Sequence, residues 1–250
     1  MSNERSVMSA GRESSSEGRR RRGPSFVVEA RTLAVGDGPV AGIDEAGRGP
    51  LAGPVVAAVV VLDPRSLPDG IDDSKKLDEK ARERLLATII ESGAKIGIGI
   101  ADVARIDAMN ILRATMWAMS EAVARLEVAP RLVLVDGNRL PALPCRGQAI
   151  VGGDATCLSI AAASIVAKVT RDRIMLDLAR AVPGYGFERH KGYGTPEHLS
   201  ALAKLGPTPH HRMSFKPVRV AFEAGQQAAG PVRTEPVLTD PLGSDAVRRR

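Results

Sequence analysis

The chain has little of what disulfide-rich secreted domains, membrane proteins and aromatic binding modules are built from. It contains two cysteines in 250 residues, Cys145 and Cys157, too few and too unevenly spaced for a disulfide framework or a zinc site. They read as small buried hydrophobes in a reducing compartment. No apolar run approaches the ~18 residues that a membrane helix requires. The longest, 55–62, has the length and valine content of a buried strand. Nothing apolar follows the N-terminal charges as a secretory signal would demand, and Glu4, Glu13 and Glu17 argue against an acid-poor import peptide. The expected location is the cytoplasm. Aromatic residues make up 3% of the chain, so the core must be built from Val, Ile, Leu and Ala. The four histidines show no metal-ligand spacing and are assigned no catalytic role. A GTPase-type phosphate site is disfavoured, because no Gly-x-x-x-x-Gly-Lys-Ser/Thr string occurs.

Basic charge is in excess. A net charge of +6 and a pI near 9.7 suit a polyanionic partner. Much of the excess, however, lies in arginine runs at 19–22 and 248–250, which are typical of solvated ends. Residues 1–37 are expected to be a mostly disordered basic tail, 38–222 a single domain, and 223–250 a second disordered tail. There is no internal repeat.

Within 38–222 the patterning alternates between strands and helices. Apolar runs at 40–44, 55–62, 95–101 and 131–136 predict strands, with a further short one at 148–151. Asp73 or Ser74 is a suitable N-cap for a helix reaching 91, since a short side-chain oxygen can satisfy free amides there. A helix over 108–127 carries Met109, Leu112, Met116, Met119 and Val123 at helical spacing, a core stripe. Residues 155–180 put Leu158, Ala162, Ile165, Val169 and Leu176 on one face. The expected fold class is α/β, a mixed sheet flanked by helices.

Acids stand where the apolar strands stop. Asp44 and Glu45 end the first, Asp136 ends the fourth, and Asp154 precedes the long helix. Two carboxylates about 4 Å apart repel by roughly 4 kcal/mol at an effective dielectric of 20, so a cluster of them calls for a cation. An all-oxygen ligand set selects a hard ion, Mg²⁺ or Mn²⁺. Adjacent strand residues point to opposite faces. Asp44 and Glu45 therefore share a site only if the strand breaks at Ala46–Gly47 or if one of them contributes a backbone oxygen.

Six strings occur in order: Asp44-Glu-Ala-Gly-Arg-Gly-Pro50, Asp73-Ser-Lys-Lys-Leu77, Val135-Asp-Gly-Asn138, Ala162-Ala-Ser-Ile-Val-Ala-Lys-Val-Thr-Arg-Asp172, His190-Lys-Gly-Tyr-Gly-Thr195 and Gly206-Pro-Thr-Pro-His-His211. Together they closely resemble ribonuclease HII, the bacterial type 2 ribonuclease H, over roughly residues 40–222. The resemblance implies a ribonuclease H-like fold with a small helical C-terminal part. It implies hydrolysis of RNA in RNA–DNA hybrids and incision 5′ to a single ribonucleotide in duplex DNA, leaving 3′-hydroxyl and 5′-phosphate ends. The family's four acids map onto Asp44, Glu45, Asp136 and Asp154, the first three as metal ligands. Where the family often has Lys-Gly-Asp-Ser, this chain has Gly152-Gly-Asp-Ala155, a departure that bears on a local phosphate contact.

The expected mechanism is metal-assisted hydrolysis. Gly47, Arg48 and Gly49 would bring backbone amides close to a nucleotide. Tyr193, between two glycines, would stack on a sugar or base and hydrogen-bond a 2′-hydroxyl. Lys75, Lys76, Lys168 and Arg171 would position phosphates without reading sequence. The expected partners are an RNA–DNA hybrid duplex and ribonucleotide-containing DNA, with no membrane and no evident protein docking motif, and the chain is expected to act as a monomer. The alternatives are a DNA-only nuclease on the same fold and a non-catalytic binder driven by the basic tails.

Overall fold

Every residue from Val55 to Val60 is shielded from water, and this run forms one of the inner strands of a five-stranded sheet. In the computed structural model, which describes residues 23–72, 74 and 77–228, the strands are β1 (Val40–Ala46), β2 (Val55–Val61), β3 (Lys95–Ala101), β4 (Leu132–Asp136) and β5 (Arg146–Ile150). Their spatial order is β3-β2-β1-β4-β5. β1 pairs antiparallel with β2 and parallel with β4. β2 pairs antiparallel with β3, and β4 parallel with β5. The expected mixed sheet is present.

Helices cover both faces. α3 (Val103–Ala124) packs on one, where Ile43, Val55, Val59, Val133 and Val135 meet Ile106, Ala118 and Met119. α4 (Leu158–Ala181) and α2 (Glu79–Glu91) cover the other, where Ala58, Val60 and Leu62 meet Ile89, Ala162 and Ile165. Alternate strand residues thus serve opposite cores, and each fully buried Val or Ile contributes about 1.5–3 kcal/mol. α4 lies close to β1 because Gly42 has no side chain: a Cβ there would stand 2.2 Å from the backbone of Ser159.

Several boundaries differ from expectation. α2 starts at Glu79 with Asp78 as its N-cap, the carboxylate accepting from the Ala81 amide at 2.7 Å. Asp73 lies outside the described residues, and Ser74 is turned inward, 2.8 Å from the Ser164 hydroxyl. α3 begins at Val103, capped by Asp102, and is interrupted at Asn110, whose side chain accepts from the Arg113 amide at 3.1 Å. That interruption falls within the methionine stripe, directly after Met109.

The expected N-terminal tail includes an ordered helix, α1 (Val27–Ala34), whose Glu29 is buried. One oxygen of that carboxylate accepts from the Ser159 amide (2.9 Å) and hydroxyl (2.6 Å) at the start of α4. The acid faces a helix N-terminus, and Val28 and Leu33 pack beside it on Val40 and Leu132, so the segment is anchored. The C-terminal part is helical, with α5 (Phe187–His190), α6 (Pro196–Leu205) and α7 (Lys216–Ala228), the last running past 222. These helices share a satellite core of Met175, Tyr185, Phe187 and Leu202 with Leu51 and Ala52.

Candidate active site

The strand alternation decides which acids meet. On β1, Gly42 abuts α4 and Ile43 faces the α3 core, so Asp44 points to the α4 side and Glu45 to the other. On β4, Leu134 packs with Ile160 of α4 while Val135 packs on the α3 side, so Asp136 also faces α4. Ile43 and Val135 are register partners. One residue further, Asp44 and Asp136 stand side by side across strands about 4.8 Å apart.

Asp44 is buried. Its Oδ1 accepts from the Glu45 amide at 2.7 Å, and the Ser164 hydroxyl donates to the same carboxylate. Burial, then the charges of Glu45 and Asp136, hold its pKa well above the ordinary carboxylate value, despite those two hydrogen bonds. Asp136 Oδ1 accepts from the Gly153 amide at 2.8 Å. Asp154 follows Gly153 in a short 3₁₀ turn, Gly153–Ala155, and is itself buried.

Asp44, Glu45 and Asp136 line one cavity of about 240 Å³ together with Gly47, Arg48, Gly49, Ser74, Lys168, Arg171 and Tyr193. Asp154 does not line it. A larger hollow of about 640 Å³, lined by Phe26, Leu33, Val40 and Leu62, has Asp63 as its one acid among the described residues, so acidic chemistry and not size marks the site. Glu45 also lines the cavity although it alternates to the other side of β1, one residue before the strand ends at Ala46 and two before Gly47. Its Oε1 accepts from Arg48 Nη1 at 3.1 Å. Gly47 has φ +98°, and a Cβ on it would lie 2.0 Å from Arg171 Nε; only glycine fits this turn.

The remaining expected residues are distributed unevenly. Tyr193 is 46% exposed at the cavity wall, close to Gly49. Its carbonyl is held by His198 Nδ1 at 2.9 Å. Lys168 lines the cavity with its Nζ 2.7 Å from Asp172 Oδ1. Lys75 and Lys76 lie outside the described residues.

Arg171 needs correction: it is not a surface phosphate contact. It is 1% exposed and donates to the carbonyls of Pro54 (3.0 Å), Lys191 (3.1 Å) and Ala52 (3.2 Å). Helical spacing places it with Lys168, but the loops folded over that face bury it.

A second buried arginine was missed. Arg212 is fully buried and follows directly on the Gly206–His211 string, yet no periodic pattern marks a charged loop residue as interior. Its guanidinium donates to the carbonyls of Gly47 (2.6 Å), Arg48 (3.0 Å), Gly53 (3.0 Å) and Pro54 (3.1 Å). Burial pushes Arg171 down to about 10 and Arg212 to about 9, so both stay charged at neutral pH. The histidines beside them are structural: His198 and His211 are buried with their Nε2 atoms 3.1 Å apart.

The model of the family described as ribonuclease HII matches residues 41–218. The chain belongs to the ribonuclease HII family. A ribonuclease HII of Azorhizobium caulinodans is 58% identical over 197 residues, 79% of this chain and 76% of that protein. One from Rhodopseudomonas palustris is 53% identical over 223 residues, 89% and 79% of the two chains. Among solved structures, the ribonuclease H2 of Pyrococcus horikoshii superposes with a TM-score of 0.64 at 27% identity, covering 75% of this chain and 99% of the other. The ribonuclease HII of Archaeoglobus fulgidus, solved in complex with PCNA, gives 0.60 at 27% identity, covering 70% and 93%. Membership of ribonuclease HII makes the chain an enzyme of the ribonuclease H class, one that hydrolyses the RNA strand of RNA–DNA hybrids. Among the described residues no helix is long and apolar enough to cross a membrane.

Proposed function

We propose that this chain incises duplex DNA on the 5′ side of a single embedded ribonucleotide as well as hydrolysing RNA in hybrids, leaving 3′-hydroxyl and 5′-phosphate ends. The observation that carries this reading is one cavity lined both by the paired acids, Asp44 and Asp136, and by the exposed Tyr193 and the Gly47–Gly49 loop. Such an activity serves ribonucleotide removal and DNA replication in the cytoplasm, with the chain acting as a monomer.

The donor set fits a divalent cation. Asp44 is held against burial and two neighbouring acids, a repulsion that a hard ion, Mn²⁺ or Mg²⁺, would relieve. All the donors are oxygen, with no cysteine or histidine among the described residues of the cavity wall. Among the described residues no three acids or histidines form a finished metal cage. Asp44 and Asp136, with Glu45, would therefore hold an ion whose remaining positions go to water and substrate phosphate. Bound there, the ion supplies Lewis-acid polarisation of the phosphate and a more acidic water. Asp154, buried next to Gly153, orients Asp136 through the turn whose amide that carboxylate accepts.

The chain's other residues select and hold the duplex. Tyr193 stacks on a sugar or base at the junction and hydrogen-bonds the 2′-hydroxyl that distinguishes RNA from DNA. Arg48, released from Glu45, and Lys168, with Lys75 and Lys76, contact phosphates. The test is cleavage of matched all-DNA, hybrid and single-ribonucleotide duplexes with Mn²⁺, Mg²⁺ or chelator. Cutting of the second and third alone, abolished by chelator, is expected. Equal cutting of all-DNA duplex would overturn the reading.

A further inference from the structure

Beneath the Gly47–Gly49 loop lie two guanidinium groups withdrawn from water, and their hydrogen bonds among the described residues all run to backbone carbonyls. Burying one such charge without a carboxylate partner is costly, and burying two side by side adds repulsion. After burial, Arg171 is the charge that depresses Arg212, while Asp107 acts the other way. An apolar pair of the same volume would fill the space at less cost. What an apolar pair could not do is gather carbonyls.

The consequence follows from the planarity of the peptide. A trans peptide holds its C=O and the following N–H on opposite sides. Arg212 draws the carbonyls of Gly47 and Arg48 inward, at 2.6 and 3.0 Å. The next amides, those of Arg48 and Gly49, therefore point outward, on the side of the cavity that these residues line. Successive amides aimed at one point form a concavity for an anion. Arg171 adds a second link: its Nη1 donates to the carbonyl of Lys191, two residues before Tyr193, while its Nη2 donates to Ala52. Backbone bonds close the frame, Leu51 N to Gly192 O and Arg212 N to Leu51 O, both at 2.8 Å.

We propose that Arg212 and Arg171 are positioning residues for substrate recognition: they aim the Arg48 and Gly49 amides at a backbone phosphate of the duplex and lock that loop to the segment bearing Tyr193. The inference rests on the reading of this cavity as the site for a ribonucleotide-bearing duplex. Only arginine can serve, because its planar fork presents several donors at fixed angles, whereas lysine offers a point charge on a flexible stem.

The experiment has two arms on the full chain. In the first, Arg212→Lys, Arg171→Lys and the double variant are assayed for KM, kcat and, in chelator, for binding of single-ribonucleotide and all-DNA duplexes, with melting curves alongside. A folded Arg212→Lys is expected to raise KM about tenfold, as the loss of hydrogen bonds to a charged group does, and to narrow the binding preference for the ribonucleotide. The double variant should lose less than the product of the singles, because both act on one loop. Folded single variants with KM and preference within twofold of the unsubstituted chain overturn the proposal. The second arm needs no substitution: the amide resonances of Arg48 and Gly49 are followed while an all-DNA duplex, then a single-ribonucleotide duplex, is titrated in chelator. Both amides should shift with either duplex, since both carry phosphate, and unmoved amides overturn the proposal even if the variants fail to fold. An unsubstituted chain that ignores the ribonucleotide while these amides still move would instead count against the functional reading alone.

Discussion

Asp44 and Asp136 stand next to each other at the ends of the parallel strands β1 and β4, one residue past the Ile43–Val135 pair and on the face covered by α4. Two adjacent carboxylates, one of them buried, are a liability for the metal-free fold and an asset for binding a divalent ion. Stability and activity should therefore respond in opposite senses when one is neutralised.

Asp136→Asn keeps the shape and removes ligand charge. Cleavage in Mn²⁺ or Mg²⁺ should fall at least about a hundredfold, the scale of losing a main electrostatic contributor. In chelator the melting temperature should hold or rise. A variant with retained activity would remove Asp136 from the site.

Asp44→Asn should stabilise the metal-free protein by about 1 kcal/mol, or roughly 2–4 °C for a chain of this size. The pH dependence gives the sign. Because the folded-state pKa of Asp44 is raised above its ordinary 3.8, the folded state binds more protons, and stability falls as pH rises from about 4 through the raised value. Melting curves in chelator across pH should show this decline in the unsubstituted chain. The decline should be smaller in Asp44→Asn.

The buried histidines act the other way. His211 is pushed down to about 4 by burial, then by His198, whereas an unfolded histidine titrates near 6.5. The unfolded state binds the extra proton between those values. Stability is thus intact above about 6.5 and is lost as pH falls toward 4, with a slope of at most about 1.4 kcal/mol per pH unit for each histidine. His211→Gln should flatten this acid limb in a urea titration series.

Tyr193→Phe and Tyr193→Ala separate two contributions of the exposed ring. If the hydroxyl reads the 2′-hydroxyl, Phe should lower kcat/KM on a single-ribonucleotide duplex about tenfold, the worth of one hydrogen bond to a neutral group at the upper end. Ala should lose a further factor of about 5–160 through stacking, which contributes about 1–3 kcal/mol per base. Equal activity of all three forms would show that the ring is a bystander.

Glu29→Ala should cost about 1–3 kcal/mol, since it leaves the Ser159 amide and hydroxyl at the start of α4 unsatisfied in the interior. Glu29→Gln keeps the accepting oxygen and should cost less. Urea midpoints compare them directly. An unchanged midpoint in Glu29→Ala would show that α1 adds nothing to the fold.

The α/β class, the five strands and the long helix were legible because their patterns are local: 55–62 is apolar throughout, and 95–101 alternates. The four acids were legible as candidates because each follows or flanks such a run. Helix boundaries were less so. Asp73, Ser74 and Asp78 are all chemically able caps, and which of them served depended on Ser74 being drawn inward toward Ser164.

What the amino-acid order determined by itself is the set of chemical groups and the period on which they repeat, hence elements, faces and motifs. What only the tertiary structure decided is which groups from distant segments share a space. β1 beside β4 makes neighbours of Asp44 and Asp136, separated by ninety-two positions in the chain, and α1 became part of the fold through the bonds of Glu29 to Ser159 and the packing of Val28 and Leu33 on Val40 and Leu132. Arg171 and Arg212, charged and polar in any sequence pattern, turned out to be interior. Burial of a charge is set by the loops that close over it and the carbonyls they offer, and those contacts are non-local, so no periodicity along the chain records them.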